Sequence, residues 1–184
     1  MILGTEVKVG YVVQLVGDDA TKGKFYTLTR VEGSDYDTGR TTGQAEFSTV
    51  AAGSTTGFKN IDRLEPDDNQ IAWYHWYVKD GNEYQMKLKA GTIRFGPFAE
   101  PNVGYIDNEK SGPTDPNPLY GFWLFKDWYP SVQAQNLTPY TMTPKIWFEG
   151  LKFDMIQVID PAEVARIKAS GKYSIITLGG IENA

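Results

Sequence analysis

The 184-residue chain has no cysteine and a single histidine, His75. Without thiols there is no disulfide framework, no thiolate nucleophile and no thiolate metal site. One imidazole is too few for a structural or catalytic zinc centre, so no metal and no other cofactor is expected. Positive charge is also scarce: 18 Lys and Arg stand against 23 Asp and Glu, a formal net charge of −5. That balance argues against direct nucleic-acid binding, which needs clustered cations to displace counterions from phosphate. Long apolar runs are missing as well. The N-terminal stretch MILGTEVKVGYVVQLVGDD has no basic leader and is interrupted by Glu6, Lys8 and Gln14, so neither a signal peptide nor an anchor is expected there. No window approaches the roughly 20 apolar residues of a spanning helix, and no transmembrane segment is expected. Phosphate-binding loops, dinucleotide glycine patterns, nucleophile elbows and HExxH are all missing from the sequence.

What is present is turn-forming and aromatic: 19 glycines, 10 prolines and 14% Phe, Trp and Tyr, the composition of many strands joined by turns. Strands are expected over Val7–Val16, Lys24–Val31, Ala45–Val50, Ile71–Lys79, Tyr84–Lys89, Thr92–Phe98, Tyr120–Phe125, Val132–Leu137, Ile146–Ile159 and Tyr173–Leu178. So many short strands suit an all-β, two-sheet sandwich. Asp80-Gly81-Asn82 is a hairpin signal because Asp-Gly readily takes positive φ, and Ala90-Gly91 followed by TIRFGPF extends it into an expected meander. The length fits one domain over 1–184. Two insertions interrupt it, near 33–57, rich in Gly, Thr and Ser, and near 99–121, where prolines and glycines should deny a regular ladder.

One helix stands out in DPAEVARIKASG. Asp160 is placed to cap it, Pro161 suits its first position, and Glu163 stands where a capping-box carboxylate belongs. Val164, Ala165 and Ile167 should face the core, and Gly171 should end the helix in a left-handed conformation.

Chemical motifs are weak. His75 has no Asp, Glu, Ser or Cys within its own strand to orient or activate it, and a structural or interface histidine is the expected role. Asp35 and Asp37 alternate like the start of a calcium loop, but the closing acid is out of place, which leaves a polar turn. Glu65, Asp67 and Asp68 read as solvated loop acids. Nothing selects a pair of carboxylates for glycoside hydrolysis among the 23 acids, and no catalytic residue is assigned. Asn136-Leu137-Thr138 is a formal glycosylation sequon.

The aromatics pose the central question. QIAWYHWYV, Gln70 to Val78, alternates sides along a strand, so Ile71, Trp73, His75 and Tyr77 share one face and Ala72, Tyr74, Trp76 and Val78 the other. Neither face is polar. GFWLFKDWYP and PKIWFEGLKF repeat the pattern. A lone sandwich should alternate more cleanly, so the second faces need a cover. It could come from the chain's own loops and helix, from neighbouring subunits, or from sugar rings stacked on a platform. The expected subunit contacts are Trp73, Tyr74, Trp76, Trp123, Trp128, Tyr129 and Trp147.

The segment WYPSVQAQNLTPYTMTPKIWFEGLKFDM, Trp128 to Met155, followed by DPAEVARIKASG and YSIITLGGI, resembles the single jelly-roll major capsid proteins of icosahedral, internal-membrane double-stranded DNA viruses of the sphaerolipovirus type. The likeness is one of pattern over about the C-terminal third of the chain. It implies a jelly-roll β-sandwich with long loops and one short C-terminal helix, without catalytic residues. It also implies a virion protein made in the host cytoplasm, which forms a shell with itself or a homologous capsid protein, beside other virion proteins and near an internal membrane. The alternative expectation is a carbohydrate-binding β-sandwich with Trp73, Trp76, Trp123 or Trp147 as its platform.

Overall fold

The computed structural model describes residues 4–32, 42–46, 49–61, 64–80, 89–96, 103–105, 121–136 and 139–179. Within them the chain is all-β apart from a 3-10 turn (Gly4–Glu6) and one helix, α1 (Pro161–Ser170). The strands are β1 (Val12–Val16), β2 (Phe25–Glu32), β3 (Thr42–Glu46), β4 (Lys59–Asn60), β5 (Gln70–Asp80), β6 (Lys89–Gly96), β7 (Val103–Tyr105), β8 (Phe122–Phe125), β9 (Tyr129–Gln135), β10 (Pro144–Gln157) and β11 (Ser174–Thr177).

Two sheets form. The larger runs β11-β1-β2-β10-β5-β8, with β3 beside the first half of β10; the smaller runs β4-β9-β6-β7. The path of the larger sheet closes on itself. Just beyond β11, Leu178 N–H donates to the Val16 carbonyl at 2.8 Å, and Gly179 N–H donates to the Trp123 carbonyl at 2.7 Å, bridging back to β8. Six strands therefore form a ring, antiparallel except for the parallel β1–β11 pair. A ring has few free edges to recruit foreign strands. The β2–β10 register shifts between Asp154 and Met155, where β2 carries one extra residue, Thr29, while the alternation of β10 is unbroken. Phe153 and Met155 both stay buried there, while Asp154 turns outward toward Arg30.

The ring interior follows from strand alternation. Val13 and Leu15 of β1, Leu28 of β2, Ile71 and Trp73 of β5, Trp123 and Phe125 of β8, Phe153 of β10 and Ile176 of β11 are all essentially without exposed surface. Trp123 and Phe153 meet with ring centroids 5.9 Å apart. Trp73 sits where three glycines leave room. A Cβ added at Gly4 would lie 2.6 Å from the indole, one at Gly121 would strike its six-membered ring, and one at Gly150 would strike the Trp73 carbonyl.

The other face of β5 is covered too at Ala72 and Tyr74, and by this same chain. Tyr74 packs against Phe122 with centroids 6.1 Å apart, and Phe122 against Phe148 at 5.7 Å. The Tyr74 hydroxyl donates to the Leu64 carbonyl at 3.0 Å, in the connection between β4 and β5. Burial pushes the Tyr74 phenol pKa far up. The same apolar cluster continues through Ile61 and Leu64 to Val132 and Ala134 of β9. The strands with two apolar faces are thus the ones that lie between the ring interior and the second sheet.

Helix α1 forms as its sequence dictates. The Asp160 carboxylate accepts from Ala162 N–H at 3.0 Å, Pro161 opens the helix, and Gly171 ends it at φ 65°, its N–H donating to the Ile167 carbonyl. Glu163 pairs with Arg166 at 2.8 Å. Ile167 is buried and Val164 half-buried, but Ala165, expected in the core, is exposed.

Other expectations need correction. The Thr92–Phe98 strand does not continue a meander from β5: β6 lies in the smaller sheet, paired with β9 and β7. The hairpin residues Gly81 and Asn82 lie outside the described residues. The insertion near 99–121 does supply a ladder strand, β7, whose Val103, Gly104 and Tyr105 pair with β6 despite Pro101. The short strand expected at Ala45–Val50 falls instead at Thr42–Glu46, where its register follows β10. No helix among the described residues is long and apolar enough to cross a membrane.

Candidate functional site

Burial divides the aromatic residues expected at subunit contacts. Trp73, Tyr74 and Trp123 have no exposed surface, and Trp128 is buried, all within this chain's own core. A ring with no exposed surface, as at Trp73, Tyr74 and Trp123, has no face to offer a neighbour, and Trp73 and Trp123 have none to offer a sugar. The sequence showed that two faces needed covering, but not that the cover would come from the β4–β5 connection just before β5 and from β9, far along the chain. Tyr129, at the start of β9, is half-buried. The side chains of Trp76 and Trp147 lie outside the described residues, as do Asp35 and Asp37. His75 is 3% exposed on the Trp73 face of β5, opposite Glu149 of β10.

The sequon is closed by the same logic. Asn136 has no exposed surface, and its side-chain amide donates to the carbonyls of Val50 at 3.0 Å and Tyr140 at 2.9 Å. Its backbone N–H donates to the Ser54 carbonyl and its carbonyl accepts from Gly53 N–H. One residue ties three segments together, so its amide nitrogen is not available for attachment of a glycan in the folded chain.

Among the described residues, two surfaces stand out as open. The first is the outer face of the ring across β11, β1, β2 and β10. Register places Ile175 beside Gln14, and Val12, Thr27 and Ile156 in one row. Of these, Ile156 is 64% exposed, Ile175 53%, and Val16, on the same face of β1, 41%. The neighbouring Phe25 is buried, its ring meeting Tyr173 edge-on at 4.9 Å. A groove of about 490 Å³ separates α1 from the strands, lined by Phe25, Ile159, Val164 and Lys168. The exposed aliphatics were legible only as adjacent pairs, Ile175-Ile176 and Met155-Ile156, in which one partner must point outward.

The second is a cleft of about 690 Å³ at one mouth of the ring. Its walls are the β1–β2 connection, which carries Asp18 and Thr21, and two turns, Asp67–Gln70 before β5 and Phe125–Trp128 after β8. Each turn closes with a hydrogen bond from its fourth N–H to its first carbonyl, 3.2 and 3.0 Å, and each holds a non-glycine residue in the left-handed region, Asn69 at φ 58° and Asp127 at φ 70°. Asn and Asp tolerate that conformation better than most residues. The floor is Tyr26, Phe125, Trp128 and Met155. Asp18 is held firmly: Oδ1 accepts from the Thr21 N–H at 2.9 Å and from its hydroxyl at 2.7 Å, and Oδ2 accepts from the Trp128 indole N–H at 3.3 Å. The Tyr26 phenol is pushed up by burial and, secondarily, by Asp18. No local motif announced this cleft, because its parts come from four separate stretches.

Among the described residues no group of three or more His, Asp or Glu is arranged to hold a metal ion. No family model, curated protein or solved structure matches this chain.

Proposed function

We propose that this chain is a structural, non-enzymatic protein that associates with copies of itself or a homologous partner through the outer face of β11, β1, β2 and β10. The observation that carries the proposal is the exposure of Ile156, Ile175 and Val16 on one face of a sheet whose interior is already filled. Ile156 and Ile175 are each more than half exposed, three strands apart on that face, with Val16 near Ile175 and with Gln14 and Thr27 between them, a mixed surface of the kind found in protein contacts that form and dissociate. On the ring itself, closure leaves side chains rather than strand edges as the means of association.

An icosahedral viral shell is the assembly implied by the pattern resemblance of Trp128 to Met155, and it belongs to the same proposal. So does the jelly-roll form of the fold. Two sheets that share one core favour that form, while the parallel β1–β11 pair and the ring closure count against it. Association through the outer face does not depend on which topology holds.

The test is mass in solution across a range of concentrations, for the native chain and for Ile156→Lys with Ile175→Lys. Concentration-dependent growth in mass that the double variant abolishes supports the proposal. A native chain that stays monomeric at its highest soluble concentration, or a double variant that associates as the native chain does, overturns it.

A further inference from the structure

The cleft at the ring mouth is the second open surface, and it lies apart from the outer face: Met155 points into the cleft side while Ile156 points outward. Its size falls within the range of small-molecule sites, and the mouth of a β-barrel is a common place for one. Its chemistry is one-sided. The floor is aromatic and thioether, from Tyr26, Phe125, Trp128 and Met155. The rim offers acceptors, among them Asp127 and Asp18, whose carboxylate meets the Trp128 indole N–H. The charged groups lining the cleft, among the described residues, are Asp18, Asp19, Asp127 and Lys126, and the Lys126 ammonium is drawn to Asp68, 2.7 Å away. Lys126 also feels Asp127, so three lining carboxylates share one ammonium that is itself bonded outside the lining, and the cleft keeps a net negative charge.

We propose that this cleft binds a small organic cation, an amidinium, guanidinium or ammonium group carried on an apolar body. The apolar body would lie on the floor, and the cation would reach the rim carboxylates. Such a group gains from charge-assisted hydrogen bonds to the carboxylates, while its apolar body meets the small part of the floor that stays exposed. Anions meet three like charges and are disfavoured. Asp18 is the pre-organised member, since its bonds to Thr21 and Trp128 fix its orientation before a ligand arrives. Asp127 is the exposed member, aimed from a turn whose conformation an Asn would keep.

The experiment uses benzamidinium as probe and benzamide as its neutral counterpart, followed by nitrogen–proton correlation spectra of the full chain. The Trp128 indole N–H signal is identified by its loss in Trp128→Phe. Benzamidinium is expected to shift that signal saturably and to bind about tenfold or more tightly than benzamide, the scale of one charge-assisted contact. Asp127→Asn and Asp18→Asn, each checked for an unchanged fold by the rest of the spectrum, should each weaken benzamidinium several-fold and leave benzamide unaffected. Raising salt from about 50 to about 500 mM should weaken the cation further, because the rim is partly open to solvent. Equal binding of the two probes, no saturable shift with either, or benzamidinium binding unchanged in both variants would overturn the proposal.

Discussion

Lys126 and Asp68 occupy the same position in two matching turns, and their side chains are joined, Nζ to Oδ1, at 2.7 Å. Both ends of this ion pair are exposed, and although the hydrogen bond to Asp68 raises the Lys126 pKa, water and salt screen the pair. What keeps the turns side by side is the β5–β8 ladder behind them, with Ile71 opposite Phe125. Lys126→Ala should therefore leave the urea unfolding midpoint unchanged within error, at low and high salt alike. A clear drop would mean that the ion pair, and not the ladder, holds the cleft walls.

The backbone at Asp127 is a separate matter. With φ at 70°, a β-branched residue there is strained, so Asp127→Val should cost about 2 kcal/mol of stability, whereas Asp127→Gly should stay within about 1 kcal/mol of the native chain. Chemical denaturation of the two variants measures the difference, and equal stabilities would contradict the left-handed assignment.

Trp73 and its three glycines predict the sharpest losses. At Gly150 an added Cβ meets the Trp73 carbonyl, a backbone atom with no rotamer to escape into. Gly150→Ala should cost about 3 kcal/mol or more, at the upper end of overpacking penalties. Gly23→Ala is a useful contrast, because nothing lies within 4 Å of the added Cβ and only the φ of 75° opposes it. Its cost should be about 1 kcal/mol. A Gly150→Ala protein as stable as Gly23→Ala would show that β5 and β10 do not approach as described.

Tyr74 predicts a pH effect. Its folded-state pKa is raised by burial above the ordinary value of 10.0, so the unfolded chain loses the phenolic proton first as pH rises. The contribution is fully present below about pH 10 and declines above it, by up to about 1.4 kcal/mol per pH unit for one proton. Tyr74→Phe removes that alkaline slope but also the hydrogen bond to Leu64, at a cost of about 1 kcal/mol at neutral pH. The stability difference between the two proteins should therefore shrink as pH climbs past 10. A difference constant up to pH 11 would place Tyr74 in water.

At the helix, Asp160→Ala should lose about 1 kcal/mol by removing the cap on Ala162, and Asn at that position should restore most of it. Thermal unfolding followed by circular dichroism reads both, and an Ala variant as stable as the native chain would leave the capping bond without energetic weight.

The boundary between what one-dimensional order determines and what folding decides runs through particular residues. Absence of thiols, β-rich composition and helix α1 with its Asp160 and Gly171 caps were all legible along the chain, because each depends on neighbours a few residues away. The two apolar faces of β5 were legible too, as a need for cover. Only the tertiary structure supplied that cover, since Leu64 and Val132 come from segments whose sequence carries no sign of their destination. The ring closure from Gly179 to Trp123, the placing of β6 in a different sheet from β5, and a cleft assembled from Asp18, Asn69, Asp127 and Met155 are likewise long-range. Alternation tells which residues share a side of a strand, but not what lies on the far side. That is decided by which distant segments bury the most apolar surface together, a property of the packed chain and not of any window within it.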